Sequence, residues 1–122
     1  MHRGSGIILR NPNNEVLIVF GEKAKKYSFP KGHKYVNETY EQCAIRETKE
    51  ETGLDVCIPN GCLAWSTGRY VYYFLTMDNV TGDTNLFVRT NDEDISHAKW
   101  VPISTLENLE CNGDIRKYIK NI

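Results

Sequence analysis

Residues 38–52 constrain the fold more than any other part of the chain. They hold neither Gly nor Pro, are rich in helix formers, and stop at Gly53. Glycine tolerates the left-handed backbone that commonly ends a helix, and Asn37 or Thr39 is placed to cap its start. Around this one central helix the pattern is that of strands. Residues 6–10 and 15–20 are apolar β-formers flanking Asn11-Pro12-Asn13-Asn14, which reads as a hairpin. The second run is continuous, as in a strand covered on both faces. Residues 69–77 alternate, with Tyr70, Tyr72 and Phe74 on one face and Val71, Tyr73 and Leu75 on the other. Residues 54–65 read as β-forming with a kink or bulge at Pro59-Asn60-Gly61, residues 86–88 as a short strand, and residues 95–101 as a strand ended by Pro102. A short helix from Ser104 and a terminal helix over 112–122 close the chain. This order predicts an α/β protein, a mixed sheet with helices packed on its faces.

The chain's 122 residues suit one domain spanning 1–122. Its 15 basic and 16 acidic residues give a net charge of −1, which argues against a bulk nucleic-acid binder and leaves room for a local basic patch. No apolar run is long enough for a transmembrane helix, and Ile7 to Leu9 is too short for the core of a signal peptide. Cys43, Cys57, Cys62 and Cys111 form no C-x-x-C pair, and with no export signal they read as free thiols in a reducing, cytoplasmic setting.

The chemistry concentrates in Arg46-Glu47-Thr48-Lys49-Glu50-Glu51-Thr52-Gly53. Glu47, Glu50 and Glu51 sit at i, i+3 and i+4, within an arc of roughly 100° on one helix face. Like charges so close repel; Arg46 and Lys49 relieve this in part, whereas a divalent cation would relieve it fully. Carboxylates are hard ligands suited to Mg²⁺ or Mn²⁺. A solvated acidic helix face is the alternative reading of these three residues taken alone.

Gly32, Glu38, Arg46, Glu47, Glu50, Glu51 and Gly53 together fit G-x5-E-x7-R-E-U-x-E-E-x-G-U, where U is bulky and apolar and Leu54 fills the last U. This resembles the Nudix box, the signature of Nudix hydrolases. Thr48 departs from the pattern, standing where the family has an apolar residue; its hydroxyl needs a partner, and the Ala44 carbonyl one turn back is within reach. The resemblance implies a Nudix fold, an α/β/α sandwich with a mixed β-sheet, and metal-dependent hydrolysis of a diphosphate linkage. It implies Glu47, Glu50 and Glu51 as metal ligands and the Gly32 carbonyl as a further one. Arg46 holds Glu47 by charge-assisted hydrogen bonds, and Glu38 supports the loop. Several relatives use an acidic residue in a later loop, before a strand holding a Trp, as an extra ligand or base. Asp92, Glu93 and Asp94 precede Trp100 in that layout. Glu93 or Asp94 is therefore the favoured base, with Asp94 a further ligand and Glu47 the rival base.

Phe29-Pro30-Lys31-Gly32-His33 is similar to the P-K-G-H form of Nudix enzymes acting on dinucleoside polyphosphates such as diadenosine tetraphosphate. A P-K-G form also occurs in mRNA-decapping and diphosphoinositol-polyphosphate enzymes, so cap or diphosphoinositol hydrolysis is the alternative. A non-catalytic nucleotide-binding sensor is a third class. Lys31 and His33 are candidate phosphate contacts, with Lys25, Lys26 and Arg3 for a longer polyphosphate; a solvated loop is the alternative, and the commoner, reading of Lys25 and Lys26. Tyr27, Tyr70 and Tyr72 either stack on a base or pack in the core. Cys43 reads as packing rather than as a nucleophile. The expected partner is a small nucleotide or polyphosphate, or an RNA cap, with no membrane and the chain acting as a monomer or homodimer.

Overall fold

A computed structural model describes residues 2–86 and 93–122. Strand β1 (Gly4–Arg10) turns through Asn11–Asn14 into β2 (Glu15–Gly21). The turn is held by Asn11, whose side-chain oxygen accepts from the amides of Asn13 and Glu15, each at 3.0 Å. The two strands then part company. β1 continues in parallel beside β7 (Tyr70–Thr76), in register from Gly4 opposite Tyr70 to Arg10 opposite Thr76. β2 pairs antiparallel with β9 (Ile95–Pro102), from Glu15 opposite Pro102 to Gly21 opposite Ile95. The short strands β3 (Lys26–Ser28) and β4 (Lys31–His33) add to β2 and β1, and β6 (Ala64–Ser66) adds to β7. The result is a mixed sheet; β5 (Asp55–Val56) and β8 (Val80–Thr81) pair separately.

Helices α1 (Tyr40–Thr52) and α2 (Gly113–Lys120) cover the two faces of the main sheet. Side chains two apart on a strand share a face. Ile7 and Leu9 of β1 accordingly pack with Leu17, Ala44, Leu54, Tyr73 and Leu75 on the α1 side. Ile8 packs on the other side with Val16, Ile18, Phe29, Tyr72, Ile115 and Tyr118. This is the α/β/α sandwich expected, and both strands of the hairpin are covered on both faces.

α1 begins two residues later than the stretch of helix formers free of Gly and Pro. Thr39 caps it, accepting from the Gln42 amide at 3.0 Å while the Gln42 side chain accepts from the Thr39 amide at 2.8 Å. Gly53 ends it with φ 82°, in the left-handed region. Within 54–65 only the two ends are strands. Pro59-Asn60-Gly61 makes a turn, with the Cys62 amide donating to the Pro59 carbonyl and Gly61 at φ 77°. The helix expected from Ser104 is a 3₁₀ helix over Ile103–Asn108, and Asn112 caps α2 through the Ile115 amide. All four cysteines are free. Of the strand expected at 86–88, residues 87–88 lie outside the described residues, as does Asp92. No helix among the described residues is long and apolar enough to cross a membrane.

Candidate functional site

The face of α1 that bears Glu47 and Glu51 looks across β4 into a cleft of about 590 Å³. Its walls also include Lys26, Ser28, Lys31, Gly32, His33, Tyr35, Tyr70, Asp94 and Asn112. The carboxylates are set deep: Glu47 is 9% exposed and Glu51 4%. Buried carboxylates need partners, and the Glu51 Oε1 accepts from the Lys31 amide at 3.2 Å. Thr48 and Thr52, on the core side of the helix, are fully buried. The Thr48 hydroxyl donates to the Ala44 carbonyl at 2.7 Å, the bond expected of it.

Arg46 organises the carboxylates. Its guanidinium forks onto Glu38 at 2.7 and 3.1 Å, donates to Glu47 at 2.9 Å and Glu50 at 3.0 Å, and donates to the His33 carbonyl at 2.9 Å. Its cationic carbon also lies 3.8 Å from the centroid of the Tyr35 ring. Arg46 is held more firmly charged than usual, chiefly by Glu38, and Arg46 in turn holds the Glu38 carboxyl below its ordinary range. Burial pushes the Glu47 carboxyl up, and the Glu50 charge adds to this, while Arg46 opposes both.

Gly32 fits closely against this cluster. A Cβ at Gly32 would lie 2.1 Å from the Glu47 Cδ, and the Gly32 carbonyl accepts a weak bond from the Cys43 thiol at 3.4 Å. Cys43 is buried, and burial pushes its thiol up, as suits a packing residue. All the donors are oxygens, the right chemistry for Mg²⁺ or Mn²⁺. As placed, among the described residues, no three His, Cys, Asp or Glu side chains converge tightly enough to hold a metal ion; Glu47 and Glu50 instead share Arg46.

The acidic loop enters from the opposite wall. A register shift between Phe20 and Gly21 brings Asp94 beside β2, where the Glu22 amide donates to its backbone carbonyl and the Lys23 amide to its carboxylate, at 2.9 and 2.8 Å. Asp94 lines the cleft, while Glu93 is exposed and does not.

The substrate candidates divide in the same way. Lys31 and His33 line the cleft and flank Tyr70, with the Lys31 Nζ 4.9 Å from its ring centroid and the His33 ring stacked at 6.3 Å. Lys26 lines the cleft as well, whereas Lys25 pairs with Glu22 at 2.9 Å on the surface. Arg3 is exposed, and its backbone joins the Arg69 and Lys34 backbones beside the end of β4. Tyr27 is turned away, its ring against Phe20, His97 and Lys99. Tyr72 requires a correction. It is fully buried and donates its hydroxyl to Asp114 at 2.5 Å, so it offers no surface to a base. Tyr70, two residues along the same strand face, reaches the cleft instead. Ser28, Tyr35 and Asn112 are cleft residues that sequence reasoning missed; an aromatic inside the loop between Gly32 and Glu38 was the one available signal.

A separate groove of about 480 Å³ runs beside Phe74 and Met77 and shares no residue with this cleft.

A sequence profile of the NUDIX domain matches residues 1–122. The chain belongs to the NUDIX domain family. Among relatives of this NUDIX chain, a Mycobacterium tuberculosis protein named provisionally as mutator protein MutT4 is 36% identical over 100 residues, 75% of this chain and 38% of its own length. The mRNA-decapping enzyme subunit 2 of Arabidopsis thaliana is 48% identical over 50 residues, 41% of this chain and 13% of its own. The chain therefore spans well under half the length of either relative. A C. elegans Ap4A hydrolase, solved as a binary complex, superposes with a TM-score of 0.71 at 18% identity, covering 96% of this chain and 92% of that one. At that identity the likeness is one of fold.

Proposed function

We propose that this NUDIX chain is a metal-dependent hydrolase of diphosphate linkages, acting best on dinucleoside polyphosphates such as diadenosine tetraphosphate. The observation that carries the reading is the make-up of the cleft, where Glu47 and Glu51 form an acidic floor facing Lys26, Lys31 and His33. An acidic floor suits a divalent cation, and basic walls suit the phosphates that come with it.

Glu47, Glu50, Glu51 and the Gly32 carbonyl would hold Mg²⁺ or Mn²⁺, with Asp94 as a further ligand. A cation there neutralises phosphate oxygens and lowers the pKa of water. Lys31 and His33 bind phosphate oxygens away from the cleaved bond, and Lys26 extends this contact to a longer chain. Arg46 keeps Glu47 and Glu50 pointed. Asp94, facing the cleft from the far wall, accepts the proton of the attacking water; Glu47 is the alternative acceptor. Catalysis of this kind rests on positioning and electrostatics and needs no covalent intermediate.

Cap hydrolysis is the second reading, favoured by the 48% identity to the decapping subunit over 50 residues. A panel of diadenosine tetraphosphate, cap analogue, diphosphoinositol polyphosphate and nucleoside triphosphates, each with Mg²⁺ or Mn²⁺, separates the two. Fastest turnover of diadenosine tetraphosphate supports the proposal. Fastest turnover of the cap analogue replaces it with the second reading, and turnover of none overturns both.

A further inference from the structure

We infer that Tyr35 is a specificity residue, a stacking platform that selects substrates carrying a nucleobase. The inference rests on the hydrolase reading for the ligand's identity and on the cleft itself for the rest.

Of the aromatic rings around the site, Tyr35 alone among the described residues combines a place on the cleft wall with a face left open. Tyr72 is buried, and Tyr27 is enclosed by Phe20, His97 and Lys99. Tyr70 lines the cleft, but Lys31 and His33 already lie against it. Tyr35 has one face on the Arg46 guanidinium, and no other ring or cation touches it among the described residues. It is 56% exposed, unusual for an aromatic whose surroundings are otherwise well fixed.

The ring is also preorganised. The Tyr35 amide donates to Glu38 at 2.8 Å, its carbonyl accepts from the Lys34 Nζ at 3.0 Å, and Arg46 presses on one face while bonded to three carboxylates. A flat surface held in advance loses little freedom when a base lies on it. Stacking tolerates any base, since each has a π-face. Tyr35 therefore discriminates between ligands with and without a base, rather than among bases.

The test measures binding, so it does not depend on turnover. ADP and inorganic pyrophosphate are titrated calorimetrically, each with Mg²⁺, into the wild type, Tyr35→Ala and Tyr35→Phe, after equal melting temperatures confirm folding. The expected result is a roughly tenfold loss of ADP affinity in Tyr35→Ala, unchanged pyrophosphate affinity, and wild-type behaviour of Tyr35→Phe. Unchanged ADP binding in Tyr35→Ala would overturn the inference. So would equal weakening of both ligands, because Tyr35 would then act only as a prop for Arg46. A melting temperature lowered in Tyr35→Ala shifts the decision to Tyr35→Leu, which keeps the bulk over Arg46 and must show the same selective loss. If ADP binds as expected yet nothing is hydrolysed, the hydrolase reading fails and the platform stands.

Discussion

Gly32 lies directly against the Glu47 carboxylate, so closely that a Cβ would stand 2.1 Å from the Glu47 Cδ and 2.3 Å from Oε1. The Glu47 carboxylate could give way only at the cost of its bond to Arg46. Gly32→Ala is expected to push Glu47 out of place, lowering stability by about 1–3 kcal/mol and activity by about 100-fold or more. Thermal melting and steady-state kinetics check this. Near-wild-type kinetics would show that the position of Glu47 is not critical.

Arg46 should not be replaceable by Lys. A lysine keeps the charge but loses the planar fork that reaches Glu38, Glu47, Glu50 and the His33 carbonyl together. The groups are partly exposed, so the loss of stability should be about 2 kcal/mol rather than that of a fully buried pair. Hydrolysis should fall about 10- to 100-fold. Denaturant melts and initial rates of Arg46→Lys decide it.

The Glu38 carboxyl is held low, chiefly by Arg46. Its folded pKa therefore lies below the unfolded one. Its contribution to stability is complete above about pH 4.3 and fades as pH falls through the folded value. Glu38→Gln should be less stable than wild type near neutrality, and the gap should close as pH falls well below the ordinary glutamate value. Melting temperatures recorded across that range give the comparison, and a gap that widens in acid would contradict the linkage.

Thr48 fills an apolar position of the box with a hydroxyl bonded only within its own helix. Thr48→Val removes that hydroxyl and leaves no polar group stranded, since the Ala44 carbonyl also serves the helix ladder. The expected change in stability is under about 1 kcal/mol, with kinetics unaltered. A large loss of activity would show that Thr48 does more than pack.

Much of this molecule could be read in advance because its strongest signals are local. The helix carries a cap, a carboxylate face and a terminal glycine within one short stretch, so both the element and its chemistry are visible together. What failed to show depends on distant contacts. Tyr70 and Tyr72 share a strand face and are alike in sequence terms; only the covering of Tyr72 by Phe29, Trp65 and Tyr118 sends one inward. Glu93 and Asp94 are adjacent acids, and a register shift between β2 and β9 turns Asp94 towards the cleft. Residues 57–63 hold apolar β-formers but turn at Pro59-Asn60-Gly61 and form no strand of their own, although the Leu63 carbonyl accepts from the Phe74 amide of β7. Tyr35 shows in the sequence only as an aromatic within a loop, because its meaning comes from Arg46, eleven positions further on.

The central claim is that the carboxylates of α1 hold a divalent cation for hydrolysis. Its most direct test is the Mg²⁺-dependent rate of diadenosine tetraphosphate hydrolysis by Glu50→Gln beside the wild type. Glu50 is the least buried of the three, so the folded state should survive the change. The account predicts a loss of about 100-fold or more with an unchanged melting curve. A Glu50→Gln protein that hydrolyses the substrate at the wild-type rate, with the same Mg²⁺ dependence, would contradict it.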